Sequence, residues 1–147
     1  MEVALREVSW NDLWVWFEFE EVPAERQRLY LEQVLEAWYS LGLLGGYNAS
    51  RLPLHEAADE TEISYSTYEL DEDNLMPSLM HNMGEIEFEG STAKCWFDLG
   101  TSDPLSLDVL INALDTLSRE YLPIARLTIG GAADAPPWED MGELYDE

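Results

Sequence analysis

Thirty-one aspartates and glutamates, two histidines and one cysteine are the side chains of this 147-residue chain best suited to acid–base, metal or nucleophilic chemistry. Only seven lysines and arginines oppose the acids, and the formal charge is −24. Between Arg51 and Lys94 stand eleven acids and no cation. Crowded carboxylates repel one another, so they stay wet or recruit positive charge. Three readings follow: a solvated face, a dock for a basic partner, and a divalent-cation site. Asp71-Glu72-Asp73-Asn74 lacks the glycine and the distal glutamate of a calcium loop. Acid–base catalysis needs two carboxylates facing each other in a cleft, whereas Glu85, Glu87 and Glu89 share the wet side of one predicted strand. One cysteine with His55 and His81 falls short of a zinc set. Cys95 falls on the apolar side of a predicted strand, as a buried and inert thiol would. Gly42-Leu43-Leu44-Gly45-Gly46 follows a helix and lacks the Lys and Ser/Thr of a phosphate loop. No catalytic residue, metal ligand or cofactor is therefore assigned, and His81, Asp71 and Asp73 stand as the weaker candidates for a carboxylate-based cleft.

The tryptophans are more informative. Trp14, Trp16 and Trp96 fall opposite the core set of their strands, with Glu18, Glu20, Glu87 and Asp98 around them. An aromatic centre with an acidic rim suits a protein partner whose surface is basic and partly apolar. The competing reading is that the chain covers these indoles itself, with residues 47–60, with its tail, or with a second copy as a homodimer. In the tail, Trp138, Met141, Leu144 and Tyr145 stand among acids, as in a segment that folds onto a partner or merely solubilises the chain. The partner-binding candidates are Trp14, Trp16, Glu18, Trp96, Asp98 and Trp138. A net charge this negative makes free nucleic acid and anionic lipid poor partners, and neither nucleic-acid binding nor direct membrane insertion is expected.

These residues need elements to hold them. Strict alternation of Leu13, Val15, Phe17 and Phe19 with Trp14, Trp16, Glu18 and Glu20 predicts a strand over 12–20. Pro23 is expected to open a helix, with Leu31, Val34, Leu35, Trp38 and Leu41 as its apolar stripe and Gly42, Gly45 and Gly46 ending it. Ile63–Tyr68 alternates as a second strand, and a helical turn is expected around Met76–Met83. Residues 85–89 and 93–99 read as a hairpin about Gly90-Ser91. Thr101, Ser102 and Asp103 are cap-competent, Pro104 suits the first helical position, and Leu107, Leu110, Ile111, Leu114, Leu117 and Tyr121 recur at helical spacing. A strand over 124–129 closes the domain at Gly130-Gly131. The order implies an α+β fold: a ferredoxin-like two-layer sandwich, mainly antiparallel, with two helices on one face and room for one extra strand. Residues 1–131 form one domain, and 132–147 are an acidic flexible tail.

The segments Asp12-Leu13-Trp14-Val15-Trp16-Phe17-Glu18-Phe19, Asn82-Met83-Gly84-Glu85, Lys94-Cys95-Trp96-Phe97-Asp98-Leu99-Gly100-Thr101-Ser102-Asp103 and Leu107-Asp108-Val109-Leu110-Ile111-Asn112-Ala113-Leu114 resemble an uncharacterised domain family of cyanobacteria and plastids. The resemblance covers about residues 6–131 and leaves the tail outside. It carries over no catalytic residues. It implies a protein of a photosynthetic lineage, cytoplasmic or stromal. The N-terminus shows no signal-peptide pattern, and no apolar run is long enough to span a bilayer. The expectation is thus a non-enzymatic protein-binding or assembly factor; the alternative is a carboxylate-based metal-binding protein or enzyme with a cleft near His81.

Overall fold

Alternation in the first tryptophan-bearing segment sends successive side chains to opposite faces, and both faces find cover. β2 (Leu13–Phe19) is buried on the side of Leu13, Val15, Phe17 and Phe19 and partly or wholly covered on the other. The computed structural model describes residues 1–47 and 79–139. Among these, β1 (Glu2–Leu5), β2, β3 (Asn82–Met83), β4 (Glu87–Glu89), β5 (Thr92–Asp98) and β6 (Ile124–Ile129) form one sheet. Its order is β1-β6-β2-β5-β3, with β4 also on β5. β2 pairs antiparallel with β5 and β6, β5 antiparallel with β3 and β4, and β1 parallel with β6, so the sheet is mixed.

α1 (Glu25–Leu43) and α2 (Leu105–Glu120) lie on one face. Leu31, Leu35 and Trp38 of α1 and Leu110, Leu114 and Leu117 of α2 share one apolar core with the inward residues of β2, β5 and β6. Cross-strand neighbours match large to small: Phe17 stands opposite Ala93, and Val15 opposite Cys95. Trp38 meets Phe97 edge to face at 5.1 Å between ring centres, and its indole N–H donates to the Ser106 carbonyl at 2.8 Å. That single side chain joins α1, β5 and the first turn of α2. An edge-to-face aromatic pair adds about 0.5–1.5 kcal/mol beyond its area burial.

Several expectations shift by a residue or two. α1 begins after Pro23, with Ala24 at the cap and the Gln27 side chain accepting from the Ala24 N–H. Gly42 lies inside the helix against Met80, and Gly45 is the residue that turns left-handed, at φ 78°. Leu41 is exposed, so the stripe is narrower than its spacing implies. At α2, Pro104 is the cap, and Asp103 Oδ1 accepts from the Leu105 N–H at 3.1 Å. Near residue 82 the backbone is strand: the His81 N–H donates to the Asp98 carbonyl, and Asn82 and Met83 pair with Asp98 and Phe97. Partnership with β5 overrides the local preference for a turn. The predicted strand over 63–68 lies outside the described residues. β1 carries almost no periodic signal and is held by main-chain bonds to β6.

Leu114 is fully buried between α2 and the sheet. Leu114→Ala should lower the unfolding free energy by about 2–5 kcal/mol, read from the denaturation midpoint at unchanged slope.

Candidate functional site

The face turned away from the helices is built by the even-numbered residues of β2 and β5. Cross-strand register sets Trp14 opposite Trp96 and Trp16 opposite Lys94, and β6 brings Thr128 beside Trp16 and Arg126 beside Glu18. Trp14 and Trp16 lie 6.2 Å apart between ring centres. The ammonium of Lys94 sits 5.1 Å from the Trp14 ring and 5.7 Å from the Trp16 ring. The guanidinium of Arg6 lies 5.7 Å from the Trp16 ring. Cations over indole faces contribute about 0.5–2 kcal/mol each, according to exposure.

Trp16 is only 1 % exposed, which corrects the expectation of an open indole there. The cover comes from the chain itself, not from α1 or α2. Gly130 and Gly131 leave β6 at φ 112° and 86°, a region that L side chains avoid. A side chain on Gly130 would run into the Arg6 carbonyl, and one on Gly131 into the Arg6 guanidinium. The glycine pair lets the chain turn across the tryptophan face. Arg6 then donates to the Ala135 carbonyl at 2.7 Å and the Gly130 carbonyl at 3.3 Å, and Lys94 donates to the Ala133 carbonyl at 3.4 Å. The Trp16 indole N–H donates to the Gly130 carbonyl at 3.0 Å. Trp138 closes edge-on over Trp16 at 5.7 Å between ring centres. Residues 132–139 are thus packed on the sheet, where a flexible tail beginning at 132 was expected; apolar burial of two indoles outweighs the local polarity of the segment.

Of the six partner-binding candidates, Trp14, Trp16, Glu18 and Trp138 are brought to one region. Glu18 and Trp138 line a groove of about 460 Å³ together with Glu2, Glu20 and Arg126. Arg126 reaches Glu2 at 3.3 Å and Glu18 at 4.0 Å, and one oxygen of Glu18 is buried without a hydrogen bond. Trp96 stands across from Trp14, and Asp98 lies two residues beyond it on β5. Trp96 is half-buried and donates to Asp12 Oδ1 at 2.7 Å. Asp98 Oδ1 accepts from the Gly100 N–H at 2.9 Å and lies 3.7 Å from His81 Nδ1. His81 is exposed, and Asp71 and Asp73 lie outside the described residues. Among the described residues no three His, Cys, Asp or Glu side chains group as metal ligands, so the metal-binding alternative finds no support there. Sequence reasoning missed Arg6 and Lys94. The only available signal was the scarcity of cations, since Lys94 is the single lysine of the chain.

Cys95 is buried on the helix side, its thiol directed at the Gly84 carbonyl at 3.5 Å. Burial, then the nearby Glu87 carboxylate, push it up to about 12, and the opposing backbone hydrogen bond of Trp96, which favours the thiolate, does not offset them. Burial also raises Tyr39, with Asp98 adding to the effect. Neither group is poised as a nucleophile or base near neutrality.

The chain matches, over residues 1–144, a family described as "Protein of unknown function (DUF3531)". It belongs to that family. The match reaches past Gly131 and takes in the segment that covers Trp16, a longer span than the resemblance suggested. It carries no lineage: the cyanobacterial or plastid origin stays an implication of the resemblance alone. No curated protein and no solved structure matches the chain. No helix among the described residues is long and apolar enough to cross a membrane.

Trp138→Ala should uncover Trp16 and lower stability by about 1–3 kcal/mol, with faster exchange of the Trp16 indole N–H as the local readout. For Cys95, the folded thiol holds its proton to higher pH than the unfolded one. Its contribution to stability is complete below about pH 9 and is lost as pH rises toward about 12. Thiol-reagent labelling of the native protein at pH 8 should therefore proceed only at the rate of opening.

Proposed function

We propose that the chain is a non-enzymatic docking or assembly domain that receives a basic, partly apolar protein segment on its tryptophan face. The frame is ferredoxin-like: β6, β2, β5 and the β3/β4 edge follow the order of that fold, and β1 is added outside β6. The observation that carries the reading is the groove lined by Trp138, Glu2, Glu18, Glu20 and Arg126. Its lining carries three carboxylates, one guanidinium and one indole. Such a lining attracts a lysine or arginine side chain with an apolar neighbour. A net charge of −24 steers basic partners to the surface and repels polyanions.

Coverage of Trp16 moves the site. The contact surface is the exposed flank of Trp138, the groove beside it, and half-buried Trp14 and Trp96, instead of an open row of indoles. A role in a photosynthetic organism, in the cytoplasm or stroma, is part of the proposal and rests on the resemblance.

Titration with a short peptide of arginines and leucines should shift the amide resonances of Glu18, Glu20 and Arg126 and the Trp138 indole. Glu20→Lys, at an exposed position, should weaken binding about tenfold, and raising salt should weaken it further. Equal binding of an acidic peptide, or shifts confined elsewhere, would refute the groove.

A further inference from the structure

The outer edge of β1 offers a second contact. β1 ends the sheet, and no strand pairs with its outer side among the described residues. Backbone groups of a strand alternate in direction. The Arg6 N–H goes to the Ile129 carbonyl of β6. Two-residue alternation back along the chain points Ala4 and Glu2 at β6 as well, and turns the N–H and C=O of Val3 and Leu5 outward. An exposed row of this kind is a template for an added strand.

Side chains define what could be added. Val3 stands opposite Leu127 and Leu5 opposite Ile129, so both lie on the helix side of the sheet. Yet Val3 is 43 % and Leu5 66 % exposed, with α1 and α2 packed over β2, β5 and β6. On the other face, Glu2 lies beside Arg126 with its side chain 77 % exposed, and it also lines the groove described above.

We propose that β1 accepts an extended segment of a basic partner whose side chains alternate between cationic and apolar. Its apolar residues cover Val3 and Leu5, and its cations lie over Glu2 and the groove. Cross-strand pairing of opposite charges and of apolar groups favours that alternation. Charge selects a basic occupant over a second copy, because two copies would each bring −24. The inference rests on the docking reading for the sign of the partner's charge, and adds to the groove the main-chain edge of β1, which meets it at Glu2.

The test uses the full chain and a seven-residue peptide of alternating arginine and valine, blocked at both ends. A second peptide carries N-methyl groups on alternate amides. Binding of the first should slow amide exchange at Val3 and Leu5, and N-methylation on the bonding edge should weaken it at least about tenfold. Val3→Pro removes an outward N–H while sparing the β6 ladder and should do the same; Leu5→Lys should weaken it by charge. The methylated peptide leaves the protein untouched, so the result stands even if Val3→Pro melts early. Absence of binding, unchanged exchange at Val3 and Leu5, or indifference to N-methylation would overturn the proposal. Binding lost in Glu20→Lys but intact in Val3→Pro would leave the groove standing and remove the edge. A dimer of the free chain, dissolved by Val3→Pro, would make the occupant a second copy and also overturn it.

Discussion

Everything on the far side of the sheet follows from burying one indole there. Trp16 sits in the middle of β2, on the face that α1 and α2 leave uncovered. An indole of that size exposed at the sheet centre would forfeit a few kcal/mol of burial. The chain covers it with its own residues, and that needs three further features. Two glycines take positive φ so that the chain can fold back. Two cations, Arg6 and Lys94, tie down the returning backbone through the Ala135 and Ala133 carbonyls. A second indole, Trp138, completes the lid.

The scarce cations are placed accordingly. In a chain with seven lysines and arginines, Arg6, Lys94 and Arg126 all lie on the tryptophan face. Their positive charge is spent on ring faces, carbonyl oxygens and two nearby glutamates. The acids around them keep a surplus of negative charge. On the proposed docking reading a partner segment brings its own cations, since a surplus of negative charge repels anions. Acids elsewhere, such as Glu85, Glu87 and Glu89, are exposed and serve as wetted surface.

The described residues of the helix-side core are committed to packing. Cys95 is sealed and held protonated, Trp38 is committed to Phe97 and Ser106, and the core cluster is continuous from β2 to α2. Membership of the DUF3531 family adds a span, residues 1–144, that includes the covering segment. The cover over Trp16 thus falls inside the family domain.

Much of the frame was legible in the residues. Strict alternation marked β2 and its two faces, helical spacing marked α1 and α2, and Ile124–Ile129 was read with its observed limits, because local period and burial agree at those places. β1 was not legible, since an edge strand is held by its neighbour's backbone and needs no pattern of its own. Which indoles would stay open was not legible either. The sequence by itself determined that Trp14 and Trp16 point away from the helices, because side-chain direction in a strand is a local property. Only the tertiary structure decided that residues 132–139 return over them, because that contact joins Trp16 to Trp138 and Arg6 to Ala135 across more than a hundred residues, and nothing in local spacing encodes such closure.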